Sequence, residues 1–199
     1  MIAEHQFAVR HRSYGLRDKY RVMRYGAGAK AYSRGEYAEA LRLFQIAKTP
    51  PPSLGVDDFV GQASPRLEYY AARTLEKLGR TDEARLAYER AVSGVAQLSG
   101  DRDSWNSENF FVVPALEKLG RAGEAEKLAK RFDGFATSER DSKDVAYRAE
   151  ARYLLALVRS HEGKADEARA LLGEALAARP DLLPARLEWR GDVIRAGKP

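Results

Sequence analysis

Leu75-Glu76-Lys77-Leu78-Gly79-Arg80 recurs unchanged as Leu116-Glu117-Lys118-Leu119-Gly120-Arg121, and the meaning of that repetition decides the fold. Each copy leads into a second element, Asp82-Glu83-Ala84-Arg85 in one case and Gly123-Glu124-Ala125-Glu126 in the other. The underlying pattern, a glycine with an alanine five residues on, occurs twice more, as Gly35-Glu36-Tyr37-Ala38-Glu39-Ala40 and Gly163-Lys164-Ala165-Asp166-Glu167-Ala168. The alanines at 40, 84, 125 and 168 lie 44, 41 and 43 residues apart, so a unit of about that length is repeated four times.

Each unit reads as helix, glycine turn, helix. The glycine ends the first helix because it enters the left-handed conformation without a Cβ clash. Thr81 is placed to cap the helix that follows. The alanine lets two helices approach closely. Four and seven residues beyond it come Phe44 and Ala47, Tyr88 and Ala91, Ala129 and Phe132, and Leu172 and Ala175, a spacing that puts all three positions on one helical face.

Composition agrees with a packed helical chain. Of the 199 residues, 44% are hydrophobic and 32% charged, too apolar for disorder and long enough for a sizeable core. The net charge of +5 is too small to indicate nucleic acid by itself. With no cysteine there is no disulfide, no thiolate nucleophile and no Cys-based zinc site. No run approaches the roughly 20 apolar residues of a membrane span, and Met1-Ile2-Ala3-Glu4-His5-Gln6-Phe7 lacks the cationic start of a signal peptide, so the expectation is a cytoplasmic chain with no membrane partner.

Catalytic signals are thin. His5, His11 and His161 are the only histidines, and the first two are six apart, not the four that would place two ligands on one helical face. No glycine-rich phosphate loop or nucleophile elbow is present, and the Glu-Ala pairs recur with the repeat and so belong to the scaffold. The expectation is a non-enzyme with no cofactor and no metal. Arg10, Arg12, Arg17, Lys19, Arg21 and Arg24 cluster in residues 10–24 against one acid, Asp18; without a nucleic-acid motif this reads as a solvated face.

The order of small residue, glycine turn, alanine, aromatic, alanine and proline resembles the tetratricopeptide repeat family. In the first unit it is Gly28, Gly35, Ala40, Phe44, Ala47 and Pro52; in the last it is Ala156, Gly163, Ala168, Leu172, Ala175 and Pro180. The resemblance covers roughly 20–195 and implies an all-α, right-handed α-solenoid of four helix pairs, at about 18–48, 64–97, 105–133 and 143–178, with a capping helix at about 181–195 and another in the stretch 2–14. It departs from the family in its period, which exceeds 34 residues. Insertions account for this: a loop over Thr49–Gly61, rich in proline, which ends at the cap-like Ser64-Pro65, and shorter linkers near 98–104 and 133–143. Those insertions are similar to the C-terminal helical region of large bacterial proteins that carry a carbohydrate-active β-supersandwich domain, which would make that domain a partner. Pro114, inside the third first helix, is expected to kink it or delay its start.

In tetratricopeptide arrays the first helices line the concave face. Tyr25, Tyr69, Phe110 and Tyr153 all lie fifteen residues before the repeat alanines, so the resemblance places one aromatic per unit along a groove, with Tyr32, Arg73, Lys77, Lys118 and His161 beside them. The expected function is a protein-interaction module holding a peptide or partner domain there. The same aromatics would also serve as packing between adjacent pairs. No asparagine occupies the positions that hold a chaperone tail in this family, so that clamp is not expected.

Overall fold

The computed structural model describes residues 14–54, 64–94, 98 and 104–189. Within them the chain forms α1 (Tyr14–Ser33), α2 (Tyr37–Lys48), α3 (Pro65–Lys77), α4 (Thr81–Val92), α5 (Val112–Lys118), α6 (Ala122–Glu139), α7 (Val145–His161), α8 (Ala165–Ala178) and α9 (Leu183–Trp189), and no strand. The helices pack as successive pairs, α1 with α2, α3 with α4, α5 with α6 and α7 with α8, each pair against the next. This is an all-α solenoid of helix pairs. None of the described helices is long and apolar enough to cross a membrane. The capping helix expected over 2–14 lies outside the described residues except for Tyr14.

All four repeat glycines have positive φ, 78° at Gly35, 73° at Gly79, 75° at Gly120 and 80° at Gly163. The residue after each donates its N–H to a carbonyl five positions back: Glu36 to Ala31, Arg80 to Leu75, Arg121 to Leu116 and Lys164 to Arg159, at 2.8–3.0 Å. These bonds satisfy carbonyls that the end of a helix leaves open, and only a left-handed residue lets the chain turn back to make them. Thr81 is not the cap. It is the first residue of α4, and Arg80 precedes it as the N-cap without a side-chain cap bond. Instead the Arg80 guanidinium holds both oxygens of Glu83 at 2.7 Å, and Arg121 holds Glu124 in the same way.

The repeat alanines are at most 2% exposed, and the residues four and seven on follow them into the core: Phe44, Ala47, Ala91, Leu172 and Ala175 are 0–1% exposed. In the third pair the large and small residues are exchanged, with Ala129 only half-buried and Phe132 enclosed. Trp105, from the segment before α5, fills the difference with its ring edge-on to Phe132 at 5.1 Å.

Two boundaries differ from the expected pairs. Helix α5 has seven residues and starts at Val112, after a 3-10 turn at Asn109–Phe111. Pro114 thus sits in its first turn, where the missing N–H has no intrahelical acceptor to lose. Helix α6 runs to Glu139, past the linker expected at 133, because Phe135 keeps it packed on Trp105 with the rings 6.4 Å apart.

The array curls back on itself. Helix α9 packs on α8 and also on α1, at the opposite end of the solenoid. Leu187 of α9 lies so close to Gly26 of α1 that a Cβ there would stand 2.8 Å from both Leu187 methyls. Arg66, 3% exposed on α3, sits in the middle of this curl. Its guanidinium lies over the rings of Tyr25 at 5.5 Å, Phe111 at 5.0 Å and Tyr153 at 5.7 Å, which belong to the other three pairs. Its Nη2 donates to Ser107 Oγ at 3.1 Å, and its Nε is 3.3 Å from Glu108 Oε2.

Two glycines in helices give opposite predictions. A Cβ on Gly28 would meet Phe44 Cε1 at 2.6 Å, and that ring is fully enclosed, so Gly28→Ala should cost about 1–3 kcal/mol despite the better helix propensity of alanine. Gly134 in α6 has nothing within 4 Å, so Gly134→Ala should stabilise by about 0.5–1 kcal/mol. Urea unfolding of both variants checks the signs.

Candidate functional site

Curling decides what becomes of the aromatic ladder. Tyr25 is 2% exposed, Phe110 3% and Tyr153 0%, so these three do not reach a partner at the surface, and the groove contact expected of them is corrected to packing between pairs. Tyr69 and Tyr32 are buried as well. Several of the rings join a chain of contacts that crosses the pairs. Tyr25 stacks near Tyr70 at 5.3 Å, Tyr70 near Phe111 at 5.4 Å, Phe111 near Phe110 at 6.3 Å, and Phe110 meets the imidazole of His161 edge-on at 6.0 Å. Ring pairs at these separations add attraction beyond the area they bury.

The basic members of the expected site lie at or near the surface beside this layer of rings. Arg73, Lys77, Lys118 and His161 occupy the last turns of α3, α5 and α7, next to the glycine turns. Arg73 is half-buried, its guanidinium 5.9 Å from the Tyr32 ring on α1 and 6.0 Å from the Tyr69 ring on its own helix. Lys118 Nζ is 3.3 Å from Glu76 Oε2, and His161 Nε2 is 3.2 Å from Glu117 Oε1.

These last two pairs explain the repeated hexapeptide. Lys77, Lys118 and His161 all stand two residues before a repeat glycine, and Glu76 and Glu117 stand three before. Each glutamate reaches the side chain two before the glycine of the following unit, the Lys118 ammonium in one case and the His161 imidazole in the other, so the Glu-Lys of one copy is staggered against the next copy by one residue. Sequence reasoning misses Glu76 and Glu117 as the partners of Lys118 and His161; their signal is present in the hexapeptide, where it reads as scaffold. At that position the first unit has Tyr32 and the fourth has Ser160, so the stagger brings no glutamate to Lys77. Among the described residues it makes no ion pair.

The surface that results is a strip of exchangeable charges over buried rings. Exposed pairs of this kind contribute little to stability, about 0–1 kcal/mol each, and are readily given up to a competing ligand. Arg73 is different, because two tyrosine faces hold its guanidinium in place, a geometry typical of recognition anchors. Of the basic 10–24 segment, Lys19 is exposed and Arg24 lies over the Tyr20 ring at 5.1 Å; Arg10 and Arg12 lie outside the described residues. Among the described residues no three His, Asp or Glu side chains converge in a way that could hold a metal ion.

Burial pushes the phenols of Tyr32, Tyr69 and Tyr88 above their ordinary value of 10.0, and Arg73 offsets this only in part. A raised phenol stabilises the fold below its unfolded pKa, and that contribution disappears as pH rises through the folded one. In a spectrophotometric titration of the ten tyrosines, at least these three should stay un-ionised above pH 10 until the chain unfolds, and all ten should titrate together near 10 in denaturant.

No family model matches the chain, and no curated protein matches it. Among solved structures it is similar to a thermophilic TPR protein of Thermus thermophilus, at 20% sequence identity and a TM-score of 0.30, over 86% of this chain and 98% of that one.

Proposed function

We propose that the chain is a non-catalytic protein-interaction module that holds a peptide or a partner domain along the strip formed by Arg73, Lys77, Lys118 and His161. The observation that carries this reading is Arg73 near the rings of both Tyr32 and Tyr69, with Lys77 one turn on along the same helix. A partner carboxylate entering there meets a pre-positioned guanidinium and an ammonium that makes no ion pair among the described residues, and it can displace Glu76 from Lys118 at little cost. The aromatic layer supports the strip from below and keeps it rigid, so little ordering entropy is lost when a partner docks. An acidic segment, extended or helical, has the complementary charge.

The test compares proteins captured by the wild-type chain, by Arg73→Ala combined with Lys77→Ala, and by a control with Arg85→Ala and Lys130→Ala. The control residues are exposed on the second helices α4 and α6, away from the strip. Partners captured by wild type and control should bind the strip variant at least about tenfold more weakly, and added salt should weaken the wild-type capture. Equal capture by all three, with unchanged melting curves, would remove the strip as the docking surface.

A further inference from the structure

A second site lies away from the strip, between the segment before α5, the end of α6, the start of α7 and the end of α8. It is an open cavity of about 350 Å³, walled by the rings of Trp105, Phe135 and Tyr147 and by the polar side chains of Asn106, Glu150 and Arg179. At about 30 Å³ per water it has room for roughly a dozen non-hydrogen atoms, and it falls at the small end of ligand pockets.

Its two charges are of opposite sign and both are half-buried. Glu150 Oε1 accepts the Ser107 N–H at 2.8 Å, and the carboxylate has acceptor capacity left. Arg179 is held only loosely, at 3.3 and 3.4 Å from the carboxylate of the largely exposed Asp181. A simple cation in the cavity would meet Arg179, and a simple anion would meet Glu150. A neutral apolar group would strip water from both and return nothing. The ligand that satisfies the whole lining carries an ammonium and a carboxylate on one apolar body.

We propose that this cavity binds a free α-amino acid with an aromatic or large aliphatic side chain. Its ammonium donates to Glu150, its carboxylate takes Arg179 in place of Asp181, and its side chain packs among the three rings. A residue inside a peptide has neither charge, and a peptide's last residue lacks the ammonium. Occupancy would reach the centre of the array, because Ser107, bonded to Glu150 through its N–H, accepts from Arg66 through its hydroxyl.

The test uses the full chain carrying Trp189→Phe, which leaves Trp105 as the one indole of the two. L-Phenylalanine should change its fluorescence saturably, with a Kd on the order of 1 mM or below. Phenethylamine, which lacks the carboxylate, and 3-phenylpropionate, which lacks the ammonium, should each bind at least about tenfold more weakly. Glu150→Gln should erase the preference over 3-phenylpropionate alone, and Arg179→Gln the preference over phenethylamine alone, a division that a merely structural role would not produce. Amide shifts of Ala146 and Ala151 provide a second readout if the indole is insensitive. The proposal is overturned by the absence of saturation in both readouts across the millimolar range, by equal affinity for all three compounds, or by N-acetylphenylalanine binding as well as phenylalanine, which would indicate a peptide terminus.

Discussion

A guanidinium buried in a protein must find partners for its charge and its N–H groups, or its desolvation would unfold the structure around it. Arg66 balances its charge against the rings of Tyr25, Phe111 and Tyr153 and the carboxylate of Glu108, and donates from Nη2 to the hydroxyl of Ser107, while its Nε stays close to Glu108 without a hydrogen bond. None belongs to its own helix pair. Satisfying this one side chain therefore draws all four pairs toward a common centre, and the contact of α9 with both α8 and α1 belongs to the same closure. The aromatics of the first helices are enclosed between the pairs as a consequence.

A second buried charge holds the layer of second helices in a similar way. Glu68, 4% exposed on α3, receives Lys48 Nζ from α2 at 2.9 Å and Arg90 Nε from α4 at 3.1 Å. Pairs that are partly removed from water act at a lower effective dielectric than the exposed Arg80–Glu83 and Arg121–Glu124 clamps, so they matter more to how adjacent pairs are set. The architecture thus combines two kinds of electrostatics: a few enclosed charges that fix the curl, and many exposed pairs that decorate the turns and remain available for exchange.

Local features were legible in the sequence because their causes are local. The glycine turns, the close-packing alanines and the i+4 and i+7 residues depend only on helical geometry, and the four repeat glycines and four repeat alanines occupy the expected places. The fate of Tyr25, Phe110 and Tyr153 was not legible, because period and spacing do not determine how tightly successive pairs curl. That curl depends on Arg66, which the sequence presents as one more arginine after a helix-starting Ser-Pro, and on Trp105, which lies in a segment without periodicity. The strip was half legible: its cations stand at repeat positions, but their glutamate partners one unit back required the register of the array.

The most direct measurement is the urea unfolding of Arg66→Met against wild type. Methionine keeps the apolar stem and removes the charge, leaving Glu108 and Ser107 without the guanidinium. If closure of the array depends on Arg66, stability should fall by about 2–4 kcal/mol. A change within about 0.5 kcal/mol, the outcome for a charge that its surroundings do not depend on, would contradict the account.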